Sequence, residues 1–213
     1  MKKPQKRILA VLFDIGNVLM LADHRRTIEA YVRHGIPREL AGAYFQRVDY
    51  EGTGKGRIEW LAYCENLRRE WCVSIPDEEI WRIDVSHIYA LDQGVLALIE
   101  RLMGKMLVGF VTNTRAPEWK RYVELEPRFA ISFRTWRSDI AHHYKGDPGV
   151  FQSIISKWMP ANLKVTVASE EVLFIDDSHA NCAIARDAGL QIFQFTERKP
   201  WLLEDYLQKL GIL

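Results

Sequence analysis

Four places in this 213-residue chain carry side chains that phosphoryl chemistry uses, and each stands at or near the exit of an apolar run. Asp14 closes the run of residues 8–13. Desolvating a lone carboxylate at the tip of a buried strand is costly, so such a residue needs a task. Thr112 follows the apolar residues 106–111, with Asn113 next to it. Lys145 precedes Gly146-Asp147-Pro148 and a helically periodic stretch, 150–158. Asp176 and Asp177 follow the apolar residues 172–175. Together they supply a carboxylate nucleophile, hydroxyl and ammonium donors for phosphoryl oxygens, and acidic ligands for a hard, oxygen-preferring cation. Singly, each has a plainer reading. Asp14 could open a turn, Thr112 could cap a helix, Lys145 could be a solvated loop charge, and Asp177 could cap a helix beginning near Ser178. The ordered set favours the chemistry.

With these residues in view, the chain resembles the haloacid dehalogenase (HAD) superfamily of hydrolases, whose four motifs occur in order over nearly its whole length. They are matched by residues 14–18, by Thr112, by Lys145 within Lys-Gly-Asp-Pro-Gly-Val-Phe, and by residues 174–178. The phrases Phe-Asp-x-Gly-Asn-Val, Thr-Asn-Thr and Asp-Asp-x-x-x-Asn are similar to those of sugar-phosphate phosphatases with a helical cap. The resemblance implies that Asp14 attacks phosphorus to give an aspartyl-phosphate. It implies that Thr112, Asn113 and Lys145 bind the phosphoryl group, and that Asp14, the Gly16 carbonyl and Asp176 hold Mg2+. Asp177 would orient metal-bound water.

One departure matters. Most phosphatases of the superfamily carry a second Asp two residues after the nucleophile as general acid and base, and here that residue is Gly16. A main-chain carbonyl survives the change, but the proton donor does not, and such help is typically worth 10²–10⁴-fold. Asp23, His24, His142 and His143 are candidate replacements. Asp23 could equally cap a helix starting near Arg25, and the two adjacent His could be a solvated loop.

The elements that position these groups alternate between strand and helix. Strands are expected at 8–13, 106–111, 130–133, 172–175 and 191–195, and helices at 91–103, 117–125, 150–158, 178–188 and 200–210. Such alternation implies right-handed parallel crossovers and an α/β three-layer, Rossmann-like core. Residues 21–91 are far longer than a crossover needs and read as an inserted small helical cap, leaving 1–20 and 92–213 as the HAD-like core domain. Within the cap, helices are expected at 26–34, 38–48, 58–71 and 76–88. The glycine-rich stretch 51–56 should break the chain as a turn, because it lacks the order of a phosphate-binding loop. Trp60, Trp71 and Trp81 could line a sugar pocket or simply pack.

Composition fits a cytoplasmic enzyme. With 48% hydrophobic residues the chain can bury one core plus a small accessory unit. A net charge of +1 gives no footprint for nucleic acid or an anionic membrane. Cys64, Cys72 and Cys182 lack metal-ligand spacing and read as reduced thiols. The basic amino terminus reads as the approach to a strand, not a signal peptide, since Asp14 and Asn17 interrupt its apolar segment. The expected partner is a small phosphorylated metabolite, and the expected state a monomer or homodimer. The leading function is a magnesium-dependent phosphomonoesterase. The alternatives are a dehalogenase using Asp14 on carbon, which Asp176-Asp177 disfavours, and a phosphometabolite-binding protein that lost turnover with the second Asp.

Overall fold

The computed structural model describes residues 7–213. Residues 1–6, at the start of both the expected core segment 1–20 and the stretch weighed as a signal peptide, lie outside the described residues. Five parallel strands form the central sheet in the order β5-β4-β1-β6-β7. Here β1 is Ala10–Phe13, β4 Leu107–Thr112, β5 Thr135–Arg137, β6 Val172–Asp176 and β7 Gln191–Gln194. A separate antiparallel ribbon pairs β2, Met20–Ala22, with β3, Ile88–Leu91.

The period-2 alternation of a strand splits its side chains between two faces. Along β1, Val11 and Phe13 enter one apolar cluster with Leu98, Ile99 and Leu203, while Ala10 and Leu12 enter another with Phe151, Ile154 and Ala185. Helices Gln93–Met103 and Pro200–Lys209 therefore cover one face, and Val150–Ser153 and His179–Asp187 the other. The expected three-layer α/β core is thus present, a five-strand parallel sheet with helices on both faces, and β1 lies at its centre.

Between β2 and β3 the chain forms helices His24–Arg33, Arg38–Gly42, Val48–Gly54, Trp60–Trp71 and Asp77–Asp84. These bury an apolar cluster of their own around Tyr31, Tyr63, Leu67 and Ile80. Asp23 caps the first of them, accepting from Arg25 N–H at 3.1 Å.

Several local expectations need correction. The break expected over residues 51–56 comes later than expected, because Gly52 and Gly54 still belong to the helix Val48–Gly54 and only Lys55 and Gly56 form the turn. A glycine costs about 1 kcal/mol in a helix relative to Ala, but here its missing Cβ is required. A Cβ at Gly52 would press on Ile58, and one at Gly54 would overlap the Tyr144 ring. The helix expected over 38–48 is interrupted after Gly42. The one expected over 76–88 ends at Asp84, and Ile88 begins β3. Residues 130–133 are not a strand. Helix Arg128–Ile131 sets Phe129 and Phe133 four apart so that both pack on Phe110, and the edge strand follows at Thr135–Arg137. The helix after Lys145 passes through a π-helical turn, Ile154–Trp158, just ahead of Pro160, which has no N–H for the helical ladder.

Candidate active site

Parallel register fixes where the candidate residues meet. Phe13 pairs with Phe110 of β4 and Ile175 of β6, so the ends of the three central strands lie side by side. Asp14 leaves β1 with its N–H donated to the Ile175 carbonyl at 2.8 Å. The chain then turns tightly, with the Ile15 carbonyl accepting from both Leu19 and Met20. Asn17 takes up a φ of 55°, a left-handed conformation that Asn tolerates better than most residues.

Beneath this turn lies a buried charge cluster. Lys145 Nζ stands 2.8 Å from Asp14 Oδ1 and 2.7 Å from Asp176 Oδ2. Asp176 also accepts from Asn181 Nδ2 at 3.2 and 3.1 Å and from Ser178 N–H at 2.8 Å. Both ends of the Asp-Asp-x-x-x-Asn phrase are thereby used, and Ser178 rather than Asp177 caps the following helix. The backbone N–H of Lys145 donates to Asn113 Oδ1 at 2.8 Å, joining the Lys145 loop to the end of β4. Thr112 is buried at that strand end and donates to the Asn113 carbonyl at 3.3 Å.

The electrostatics follow from burial. Desolvation pushes the Asp14 carboxyl up to about 7; Lys145 opposes the shift and Asp176 adds to it. Desolvation weakens the Lys145 ammonium, yet Asp14 and Asp176 together hold its pKa above the ordinary value. Asp177 is also raised, by desolvation first and Asp176 second. Asp14, Asp176 and Asp177 each offer a carboxylate oxygen within 4.8 Å of the others, so one hard cation could be held by all three.

Above the cluster opens a cleft of about 270 Å³ between the core and the helical insertion. Asp14, Gly16, Asn113 and Asp177 line it, whereas Lys145, Asp176 and Thr112 are buried and are not among its lining residues. Of the four candidate replacement acids, only His24 lines this cleft. Asp23 is occupied by Arg25, His142 meets the Lys55 carbonyl at 2.9 Å, and exposed His143 pairs with Asp147. None of the three tryptophans lines the cleft. Trp71 belongs to the insertion's own core, and Trp60 and Trp81 border a separate groove beside Pro117 and Lys120.

The far wall of the cleft holds residues that sequence reasoning missed. Arg115 is buried, donating to Glu118 Oε1 from Nε at 3.1 Å and Nη2 at 2.9 Å, with Asp84 Oδ2 2.6 Å from Nη2. Tyr50 lies 3.7 Å beneath the guanidinium and donates to Glu118 Oε1. Asp84 and Tyr50 come from the insertion and Arg115 and Glu118 from the core, so this network joins the two. A signal existed in Asp84, which shares the apolar face of its helix with Ile80 and Ile83.

The insertion also touches the Lys145 loop. Ser138 Oγ donates to the Gly54 carbonyl at 2.7 Å and accepts from Thr114 N–H at 2.9 Å. Tyr144 donates to the Glu51 carbonyl, and Lys55 pairs with Asp147 at 3.3 Å.

Neither the protein-family models nor the curated proteins include a match to this sequence. Solved structures match it well. A HAD family enzyme of Bacteroides thetaiotaomicron, in complex with magnesium and inorganic phosphate, is 22% identical over 88% of this chain and 93% of that one, with a TM-score of 0.77. A predicted HAD-like hydrolase of Porphyromonas gingivalis is 18% identical over 96% and 98%, with a TM-score of 0.77. An L-2-haloacid dehalogenase is more distant, at 18% identity over 87% and 83% and a TM-score of 0.58. The fold is the HAD-like fold. Fold alone does not fix activity, so the function must be argued from the site.

Proposed function

We propose that this chain is a HAD-superfamily hydrolase, a magnesium-dependent phosphomonoesterase that acts on a small phosphorylated metabolite, a sugar phosphate first, through Asp14. The observation that carries the reading is Lys145 lying between Asp14 and Asp176, with Asp14 itself lining an open cleft. Asp14 and Asp176 as direct ligands, with Asp177 close enough to orient metal-bound water, suit magnesium, and magnesium and phosphate in the Bacteroides enzyme support the same assignment. Magnesium bound there would neutralise phosphoryl oxygens as charge develops on them.

The chain's own residues supply the rest. Asp14, fixed by its N–H bond to β6, presents a carboxylate to phosphorus, with Gly16 and Asp176 beside it as metal ligands and Asp177 orienting water. Lys145 offsets the repulsion between these carboxylates and an incoming phosphate, and Thr112 and Asn113 hold phosphoryl oxygens. The helices of residues 21–91 act as a cap over the cleft, with 1–20 and 92–213 as the core domain.

Gly16 favours a second reading, a phosphometabolite-binding protein that keeps the fold without turnover. Magnesium-dependent phosphate release from an aryl phosphate and a panel of sugar phosphates separates the two. Turnover that disappears in Asp14→Asn supports the enzyme. Binding of phosphate and magnesium without release from any substrate supports the binding protein.

A further inference from the structure

Removing the Asp from position 16 leaves space rather than a substitute. A Cβ there would meet only the Tyr122 hydroxyl, at 3.9 Å. Any replacement proton donor must therefore be sought along the cleft wall, where most titratable groups are already engaged. Glu118 accepts from Arg115 and Tyr50, and Arg115 and His87 hold its pKa below the usual carboxylate range despite burial. Tyr50 donates to Glu118 and Tyr144 to the Glu51 carbonyl. Burial, Glu118 and Asp14 push the Tyr122 phenol far above its ordinary value, a poor match for proton transfer near neutrality. His87 is buried, with Nδ1 2.8 Å from the Asp84 carbonyl and Nε2 turned towards Glu118.

His24 is different. Its ring is held on one side by the Tyr44 hydroxyl, 2.5 Å from Nδ1, and on its face by the His87 ring, stacked with centroids 4.6 Å apart. The residue is exposed at its edge and lines the cleft that holds Asp14, and Nε2 has no protein partner among the described residues. It is a fixed imidazole with one free nitrogen.

We propose that His24 Nε2 carries the proton for the leaving group, the task that an Asp at position 16 would otherwise perform; this rests on the phosphatase reading above. In the first step an Asp14 oxygen bonds to phosphorus, the bond from phosphorus to the substrate oxygen breaks, and that oxygen takes the proton from Nε2. In the second step a water oxygen attacks phosphorus, the bond from phosphorus to Asp14 breaks, and Nε2 takes the water's proton. Atoms and charges balance over the cycle. Desolvation by burial, then the charge of His87, lowers the His24 pKa from its ordinary value, and a phosphate dianion arriving beside the ring favours the protonated form needed first.

The test compares leaving groups. Aryl oxides leave without a proton, whereas sugar alkoxides need one, so a merely structural role would affect both alike. For His24→Gln, the ratio of sugar-phosphate to aryl-phosphate kcat/KM should fall ~100-fold or more. Tyr122→Phe should leave that ratio near the parent value. An unchanged ratio in His24→Gln, or a collapse in Tyr122→Phe instead, overturns the assignment to His24 alone. Absence of aryl-phosphate turnover by the parent protein with magnesium overturns the phosphatase reading, and this inference with it.

Discussion

The ammonium of Lys145 lies 2.8 Å from the Asp14 carboxylate, and both groups are nearly shielded from solvent. Breaking a buried pair by removing one partner costs more than the pair contributes, because a charge is left uncompensated. Lys145→Met should lower the unfolding free energy by about 3 kcal/mol or more in the absence of divalent cations. Excess magnesium should restore part of that loss, since a cation between Asp14 and Asp176 replaces the missing charge. Urea unfolding with and without magnesium reads both effects.

Metal binding should be proton-linked. With the Asp14 carboxyl raised to about 7, the free protein holds a proton there at lower pH that a metal must displace. Magnesium affinity should therefore weaken by up to ~10-fold per pH unit below about 7 and level off above it. The sign for stability is opposite. A carboxyl whose folded pKa exceeds its unfolded value binds protons more tightly when folded, so its contribution diminishes as pH rises from about 4 through about 7. Calorimetry in buffers of different ionisation enthalpy should show release of nearly one proton at about pH 6 and almost none at about pH 8.5. Equal affinities at the two values would refute the linkage.

The contact between insertion and core depends on absent atoms. Gly54→Ala would drive a Cβ into Tyr144, next to Lys145 in the chain. The expected cost is about 1–3 kcal/mol of stability, with weaker inhibition by inorganic phosphate because the Lys145 loop is displaced. Adding Tyr144→Ala should relieve the clash, giving a non-additive double-mutant cycle.

The Arg115 network should be as sensitive. Arg115→Met strands Asp84 and Glu118, two buried carboxylates, and should destabilise the protein by about 3–5 kcal/mol. Burial already raises the Asp84 pKa, with Arg115 opposing the shift, so in the variant Asp84 should take up a proton at higher pH than in the parent. The variant's stability deficit should then shrink on acidification, which a series of unfolding curves at different pH would show.

Asp14 and Asp176 were legible in the sequence because each ends a near-continuous apolar strand, and parallel register brings such ends together. Lys145 was legible only as part of the ordered set, since it stands on a loop fixed by Asn113 and Asp147. The Arg115, Glu118 and Asp84 network was not legible. Its members come from two helices whose proximity is set by how the insertion docks, which no local period encodes. Of the segment 51–56 only the turn at Lys55 and Gly56 was legible, because helix propensity counts Gly52 and Gly54 as breakers while the close approach of Ile58 and Tyr144 favours glycine inside that helix. Residues 130–133 misled because four apolar or small residues fit a strand as well as one helical turn, and only the packing of Phe129 and Phe133 on Phe110 chooses between them.

The proposed reaction passes through a phosphoryl intermediate on Asp14. Exchange of 18O between labelled inorganic phosphate and water tests it without knowledge of the substrate, because reversible formation of aspartyl-phosphate from phosphate exchanges its oxygens, and Asp14→Asn separates that route from direct attack by water. Magnesium-dependent exchange by the parent protein and none by Asp14→Asn is the expected result. No exchange at saturating magnesium and phosphate, or exchange that persists in Asp14→Asn, would contradict it.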